Sequence, residues 1–157
     1  MKKLVIIISC FFILCGCQKS QSVSLEDYNA FVEALENHSE FNETSTYFNI
    51  TLIVNQMENG QYRYDIVIDE VKETLNKVKV LCMDNGRITE YYPSLGVYDE
   101  EVVTLANYTD KENHIYQGIN LSGITDDPNV VVNILIEFED QNQKIHQEYI
   151  QLREEVE

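Results

Sequence analysis

The sequence predicts a mainly β protein: an antiparallel β-sandwich of immunoglobulin-like architecture with about seven strands, preceded by one amphipathic helix. Three observations predict it. From residue 45 onward apolar side chains recur with period two, as half-buried strands require. Turn-forming clusters separate these runs at short intervals, as in hairpin-rich all-β domains. Before residue 45 one segment keeps the spacing of a helix.

That segment is 24–37. Leu25, Tyr28, Phe31, Val32 and Leu35 fall on one side, with Glu26, Asp27 and Glu33 on the other. Ser24 stands as a helix N-cap with Asp27 three residues on, and Val23 and Tyr28 are placed as a hydrophobic staple. The first strand follows at 48–54, with Phe48, Ile50, Leu52 and Val54 on one face. Asn59-Gly60 between alternating runs is a strong hairpin signal. The return strand carries Tyr62, Tyr64, Ile66 and Ile68 on one face. These tyrosines read as core or cross-strand packing. Further strands are expected at 77–84, 113–121, 130–140 and 144–152, with a weaker one near 101–106. The Val- and Ile-rich run 130–136 reads as the central strand. Leu121 to Val130, with Gly123 and Pro128, reads as a connection between sheets or edges. The Cys–Trp–Cys signature of true immunoglobulin domains is missing, and a partly open barrel is the alternative architecture.

The N-terminus carries the most specific signal. Met1-Lys2-Lys3 is a short basic start, and Leu4 to Leu14 is apolar apart from Ser9. Such a run is too short to span a bilayer, which needs about 20 apolar residues. Leu14-Cys15-Gly16-Cys17 follows and resembles the lipobox of bacterial lipoproteins, with Cys15 where Ala, Ser or Gly is usual. The resemblance covers residues 1–17 alone. It implies cleavage after Gly16, a diacylglycerol thioether on Cys17, and a chain held at the extracytoplasmic face of the cell membrane by its acyl groups. Two acyl chains supply the anchoring that a single chain lacks. The expected organisation is a signal peptide at 1–16 and a lipidated cysteine with a short tether at 17–23. One domain at 24–157 follows, with the helix at 24–37 and the sandwich at about 45–153. The Asn-, Ile- and Tyr-rich composition suggests a Gram-positive cell with no outer membrane.

Processing would remove Cys10 and Cys15 and acylate Cys17, leaving Cys82 with no partner for a disulfide. Cys82 lies in an apolar strand beside Val80 and reads as a buried, inert side chain. The chain has 27 acidic and 11 basic residues among 157, a net charge of −16. That balance excludes electrostatic nucleic-acid binding and a polybasic lipid patch. It favours basic or cationic partners.

No catalytic constellation stands out. His38, His114 and His146 are far apart and keep no metal-ligand spacing, and each reads as an ordinary surface residue, His146 on a solvated face with Lys144 and Glu148. No Gly-rich phosphate loop or GxSxG elbow occurs. Asp99-Glu100-Glu101, Asp126-Asp127 and Asp110-Lys111-Glu112 read as solvated loops, though an envelope enzyme or a calcium module would draw on them. Tyr91-Tyr92 beside Pro93 reads as a candidate loop platform for a sugar or peptide, which the lack of tryptophan disfavours. The sequons at Asn37, Asn42, Asn49, Asn107 and Asn120 are incidental in a bacterial protein. The expectation is therefore a lipid-anchored, non-catalytic binding or scaffolding module of the cell envelope, without cofactor or metal. Its expected partners are the membrane, through Cys17, and an envelope protein. The alternatives are a small envelope enzyme or a subunit of one, and a calcium- or glycan-binding module.

Overall fold

A computed structural model describes residues 20–86, 88–98 and 101–156, the first five by backbone alone. Cys17 with the residues expected to form a lipobox, and the Asp99-Glu100 pair, lie outside the described residues. Among the described residues the chain is mainly β, with one α-helix and two open sheets. The helix α1 (Ser20–Glu36) precedes strands β1 (Asn49–Gln56), β2 (Tyr62–Asp69) and β3 (Leu75–Asp84). Next come two short strands, β4 (Ser94–Leu95) and β5 (Val103–Leu105), a 3-10 turn at Lys111–Asn113, and β6 (Ile115–Tyr116). The chain ends in β7 (Ile119–Thr125), β8 (Asn129–Glu139) and β9 (Ile145–Glu155).

One sheet has the order β1-β2-β7 and is antiparallel throughout. The other has six strands in the order β6-β5-β3-β8-β9, with β4 joining the edge of β3 beyond β5. Its pairs are antiparallel except β5 with β6. Inward side chains of both sheets share one core: Tyr64, Ile66 and Ile68 from β2 meet Val80 and Cys82 of β3 and Val132, Ile134 and Ile136 of β8.

The outer face of the six-stranded sheet is covered by α1, whose Tyr28, Phe31 and Leu35 pack on Leu81, Val97 and Leu135. Burying each such side chain contributes about 1.5–3 kcal/mol. β8 carries apolar residues on both faces, with Asn133 and Glu137 among those on the outer one, which explains its Val/Ile-rich run; it is an interior strand between β3 and β9, with β3 nearer the centre. In β3, Leu75 and Val78 both face the inner core although a period of two would turn them to opposite faces. A bulge between them, with Lys77 at φ +51°, absorbs the extra residue.

The boundaries differ from expectation in three places. The helix begins at Ser20, so Ser24 is interior and not its cap; nothing in Gln21-Ser22-Val23 breaks a helix whose apolar face is docked downstream. The expected strand 113–121 divides into β6 and β7. His114 takes a left-handed conformation (φ +53°), and at Gly118 the chain crosses between sheets so close to Ile68 that a Cβ would lie 2.7 Å from its carbonyl oxygen. The segment expected to be a connection is strand as far as Thr125, paired with β2. Gly123 belongs to that strand because the ring of Tyr64 lies over it, where a Cβ would come within 2.2 Å. The Asn59-Gly60 turn forms as expected, with Gly60 at φ +84° and the Met57 N–H donating to the Gln61 carbonyl at 2.7 Å.

Candidate functional site

The gap between the sheets has two flanks. On one, β1 approaches β9, and the residues just before β1 carry aromatic side chains into the gap. Tyr47 packs edge-on to Phe138 at 5.0 Å, and Phe48 at 6.3 Å. His146 stacks on Phe138 at 5.3 Å. Its Nε2 lies 2.9 Å from Asp140 Oδ2 and its Nδ1 3.3 Å from the Tyr47 hydroxyl. A carboxylate only accepts, so Nε2–H donates to Asp140, and on the neutral ring Nδ1 accepts from Tyr47. The His146 bond, then the Lys144 backbone N–H, hold the Asp140 carboxyl below the usual carboxylate range. The free edge of β9 is covered in part by Asn42, whose N–H donates to the Tyr149 carbonyl and whose carbonyl accepts from Gln151. Rings thus fill this flank around Phe138, and beside them a polar cavity of about 640 Å³ is lined by Phe41, Glu43, Thr44, Gln151, Leu152 and Arg153.

The His146 expectation is therefore corrected. Its strand face is the inner one: His146 sits opposite Phe138 and Ile150 opposite Ile134, while Ile145 is exposed. His38 also departs from an ordinary surface residue, stacking on Tyr149 with ring centroids 3.5 Å apart. His114 is exposed, 3.4 Å from Glu101.

The other flank is open. β7 pairs with β2 alone among the described residues, and across from it the six-stranded sheet ends in β4, β5 and β6. Between them lies a groove of about 420 Å³. Its floor is apolar, from Leu95, Val103, Tyr116, Ile119 and Leu121; Glu101 stands on its rim, and no Lys or Arg lines it. The walls come from the ends of four strands, so no local sequence signal announced the groove.

Other expected site residues are used structurally. Asp126 accepts from the Gln61 side chain, and Asp127 from the Asn85 side chain and the Asn129 N–H. Asp110 caps the 3-10 turn through the Glu112 N–H. Asp65, on the outer face beside β7, accepts from Arg63, Ser122 and Asn120; burial raises its carboxyl, and these bonds together outweigh that and lower it. Among the described residues no group of three His, Cys, Asp or Glu is placed to hold a metal ion. Tyr91 and Tyr98 are exposed against the buried Tyr28, and Tyr28 accepts the Tyr92 N–H. The amides of Asn37, Asn49 and Asn120 bond Glu33, Asp69 and Asp65.

A buried polar pair was not expected. The Tyr64 hydroxyl donates to Asp84 Oδ2 at 2.8 Å, joining β2 of one sheet to β3 of the other, while the Gly86 N–H donates to Asp84 Oδ1. Burial, then the Asp84 charge, push the Tyr64 phenol up, so it stays protonated and donates. Burial likewise pushes up the Cys82 thiol, which suits an inert core residue. Among the described residues no helix is long and apolar enough to cross a membrane. Compared with models of known protein families, the chain matches none, and the search of curated proteins found no match.

Proposed function

We propose that this chain is a bacterial lipoprotein, held at the extracytoplasmic face of the cell membrane through Cys17, and that it serves there as a non-catalytic binding or scaffolding module. The observation that carries this reading is the N-terminal sequence, a basic start and a short apolar run closing on Leu14-Cys15-Gly16-Cys17. The body is read as a β-sandwich of immunoglobulin-like architecture, which the core shared by two sheets and the largely antiparallel pairing support. The open groove beside β7 is the contact surface of this reading. The acidic charge favours a basic partner and disfavours close approach to anionic headgroups.

Metabolic labelling of cells with a palmitate analogue tests the anchor. The wild-type chain should take up label and sediment with membranes, and Cys17→Ala should take up none. Label on both forms, or on neither, would overturn the anchor. Crosslinking on intact cells, with wild type and Cys17→Ala compared, should then recover one defined envelope protein with the anchored form.

A further inference from the structure

We propose that Asn59 is a site of spontaneous covalent modification, at which the Gly60 backbone nitrogen attacks the side chain and converts the asparagine to aspartate and isoaspartate. The reaction needs only the chain and water, whatever the chain is anchored to or binds. The Gly60 nitrogen gives up its proton and bonds to Asn59 Cγ, while Nδ2 takes up a proton and leaves as ammonia. Water then opens the resulting cyclic imide at either carbonyl. Opening at Cγ leaves aspartate; opening at the main-chain carbonyl leaves isoaspartate, with an extra methylene in the backbone. Nothing is oxidised or reduced. Glycine suits the step because it has no side chain to shield its nitrogen.

The sequence offers the step twice, at Glu58-Asn59-Gly60 and at Asp84-Asn85-Gly86. Each pair follows an acidic residue and both asparagines are exposed, so neither neighbours nor access of water separate them. Their tethering does. The Asn85 amide donates to Asp127 Oδ2 at 2.7 Å and to the Asn129 carbonyl at 3.0 Å, and its oxygen accepts the Val131 N–H at 3.0 Å. Its Cγ cannot turn onto the Gly86 nitrogen without breaking bonds that join the end of β3 to the start of β8. The Gly86 N–H also donates to the buried Asp84 at 3.1 Å, and a carboxylate facing an N–H favours keeping the proton on it.

The bonds of Asn59 end inside its own turn. Nδ2 donates to Gln61 Oε1 at 2.6 Å and Oδ1 accepts the Gln61 N–H at 3.1 Å. The Gly60 N–H donates to the neutral Met57 carbonyl at 3.0 Å. Gly60 stands at φ +84° with no atom within 4 Å of where a Cβ would lie, so the turn has room to rearrange while the strands stay paired. The product alters a contact outside the hairpin. Gln61 Nε2 donates to Asp126 Oδ1 at 3.0 Å, just beyond β7. A carboxylate at position 59 cannot donate to Gln61 Oε1 and adds a charge beside Glu58, so the hairpin tip loosens from the turn after β7.

The full chain in a nonionic detergent is aged at mildly alkaline pH, both folded and in urea. Peptides spanning the two sites are followed by mass spectrometry that tells aspartate from isoaspartate. In urea both asparagines should convert at similar rates. In the folded chain Asn59 should convert at least about tenfold faster than Asn85. Asp127→Ala withdraws one bond from Asn85, so in a variant shown by circular dichroism to be folded Asn85 should convert several-fold faster, with Asn59 unchanged. The proposal is overturned if Asn59 stays intact in the folded chain or if Asn85 keeps pace with it there. It is also overturned if the two sites differ as much in urea, which would place the difference in the sequence, or if a folded Asp127→Ala chain protects Asn85 as before. None of these outcomes bears on the labelling of Cys17.

Discussion

The two flanks of the molecule solve one problem in opposite ways. Where two sheets share one core, their edges leave a slot that either side chains or another molecule must fill. On the β1/β9 side Tyr47, Phe48, Phe138 and His146 fill it with rings, and Asn42 pairs with β9. On the β7 side the six-stranded sheet supplies only the short strands β4 and β6 and the three residues of β5, and the slot stays open over an apolar floor. Aromatic packing and backbone pairing fill the middle of the first flank, and the cavity left beside them is lined by Glu43, Gln151 and Arg153, whereas the groove beside β7 has an apolar floor. Open apolar surface beside an unpaired edge is the pattern of a surface that receives a partner.

The comparison breaks if the two flanks hold the fold equally. Phe138 is 1% exposed at the centre of the aromatic cluster. Phe138→Ala should cost about 3–5 kcal/mol, because rings packed on three sides cannot collapse into the space left. Leu121→Ala, at the groove floor, should cost nearer 2 kcal/mol, since water already reaches that side. Urea unfolding measures both; equal losses would mean that the groove belongs to the rigid core.

Gly123→Ala probes how the open-flank strand is seated. A Cβ there meets Cζ and Oη of Tyr64 at 2.2 Å, so the ring must move, and overpacking of this kind costs about 1–3 kcal/mol. Tyr64→Phe keeps the ring and removes only the hydroxyl. It leaves Asp84 Oδ2 without its donor in the core, at about 1–3 kcal/mol. If the glycine is needed to admit the ring, Tyr64→Ala should relieve Gly123→Ala, so the double variant is more stable than the two single losses predict.

These residues show what was legible and why. The Asn59-Gly60 hairpin, the Val/Ile run of β8 and the helical spacing of Tyr28, Phe31 and Leu35 are local signals, each decided by a few neighbouring residues, and each formed. Gly123 misled because glycine inside an apolar run reads as a break. Here it is small for the sake of a tyrosine 59 positions away in sequence. His146 misled because Lys144, His146 and Glu148 alternate as a solvated face does, whereas the imidazole is covered by Phe138 across the β8–β9 hairpin and by Tyr47, 99 positions away in sequence. The groove lies furthest from the sequence, since four strand ends from two sheets make it. The proposed lipobox is the opposite case, a resemblance that ends in four adjacent residues, Leu14-Cys15-Gly16-Cys17.

The smallest expected effect concerns pH and again sets the flanks apart. Asp140 on the ring-filled side and Asp65 beside β7 both hold their carboxyls below the usual range, Asp140 chiefly through His146 and Asp65 through Ser122, Arg63 and Asn120 against the opposing effect of burial. A carboxyl depressed in the folded state adds stability above its unfolded pKa, and that stability is lost as pH falls through the folded pKa. Stability should therefore decline from about pH 5 toward pH 2. His146→Ala removes the main bond that depresses Asp140, so the acid decline becomes shallower while stability near neutral pH falls. Asp65→Asn should flatten the same range through the other sheet. Because the two sites share no partner, the flattening in the double variant should equal the sum of the two. Urea midpoints at a series of pH values measure it. A double variant no flatter than His146→Ala alone would mean that the flanks communicate through the core they share.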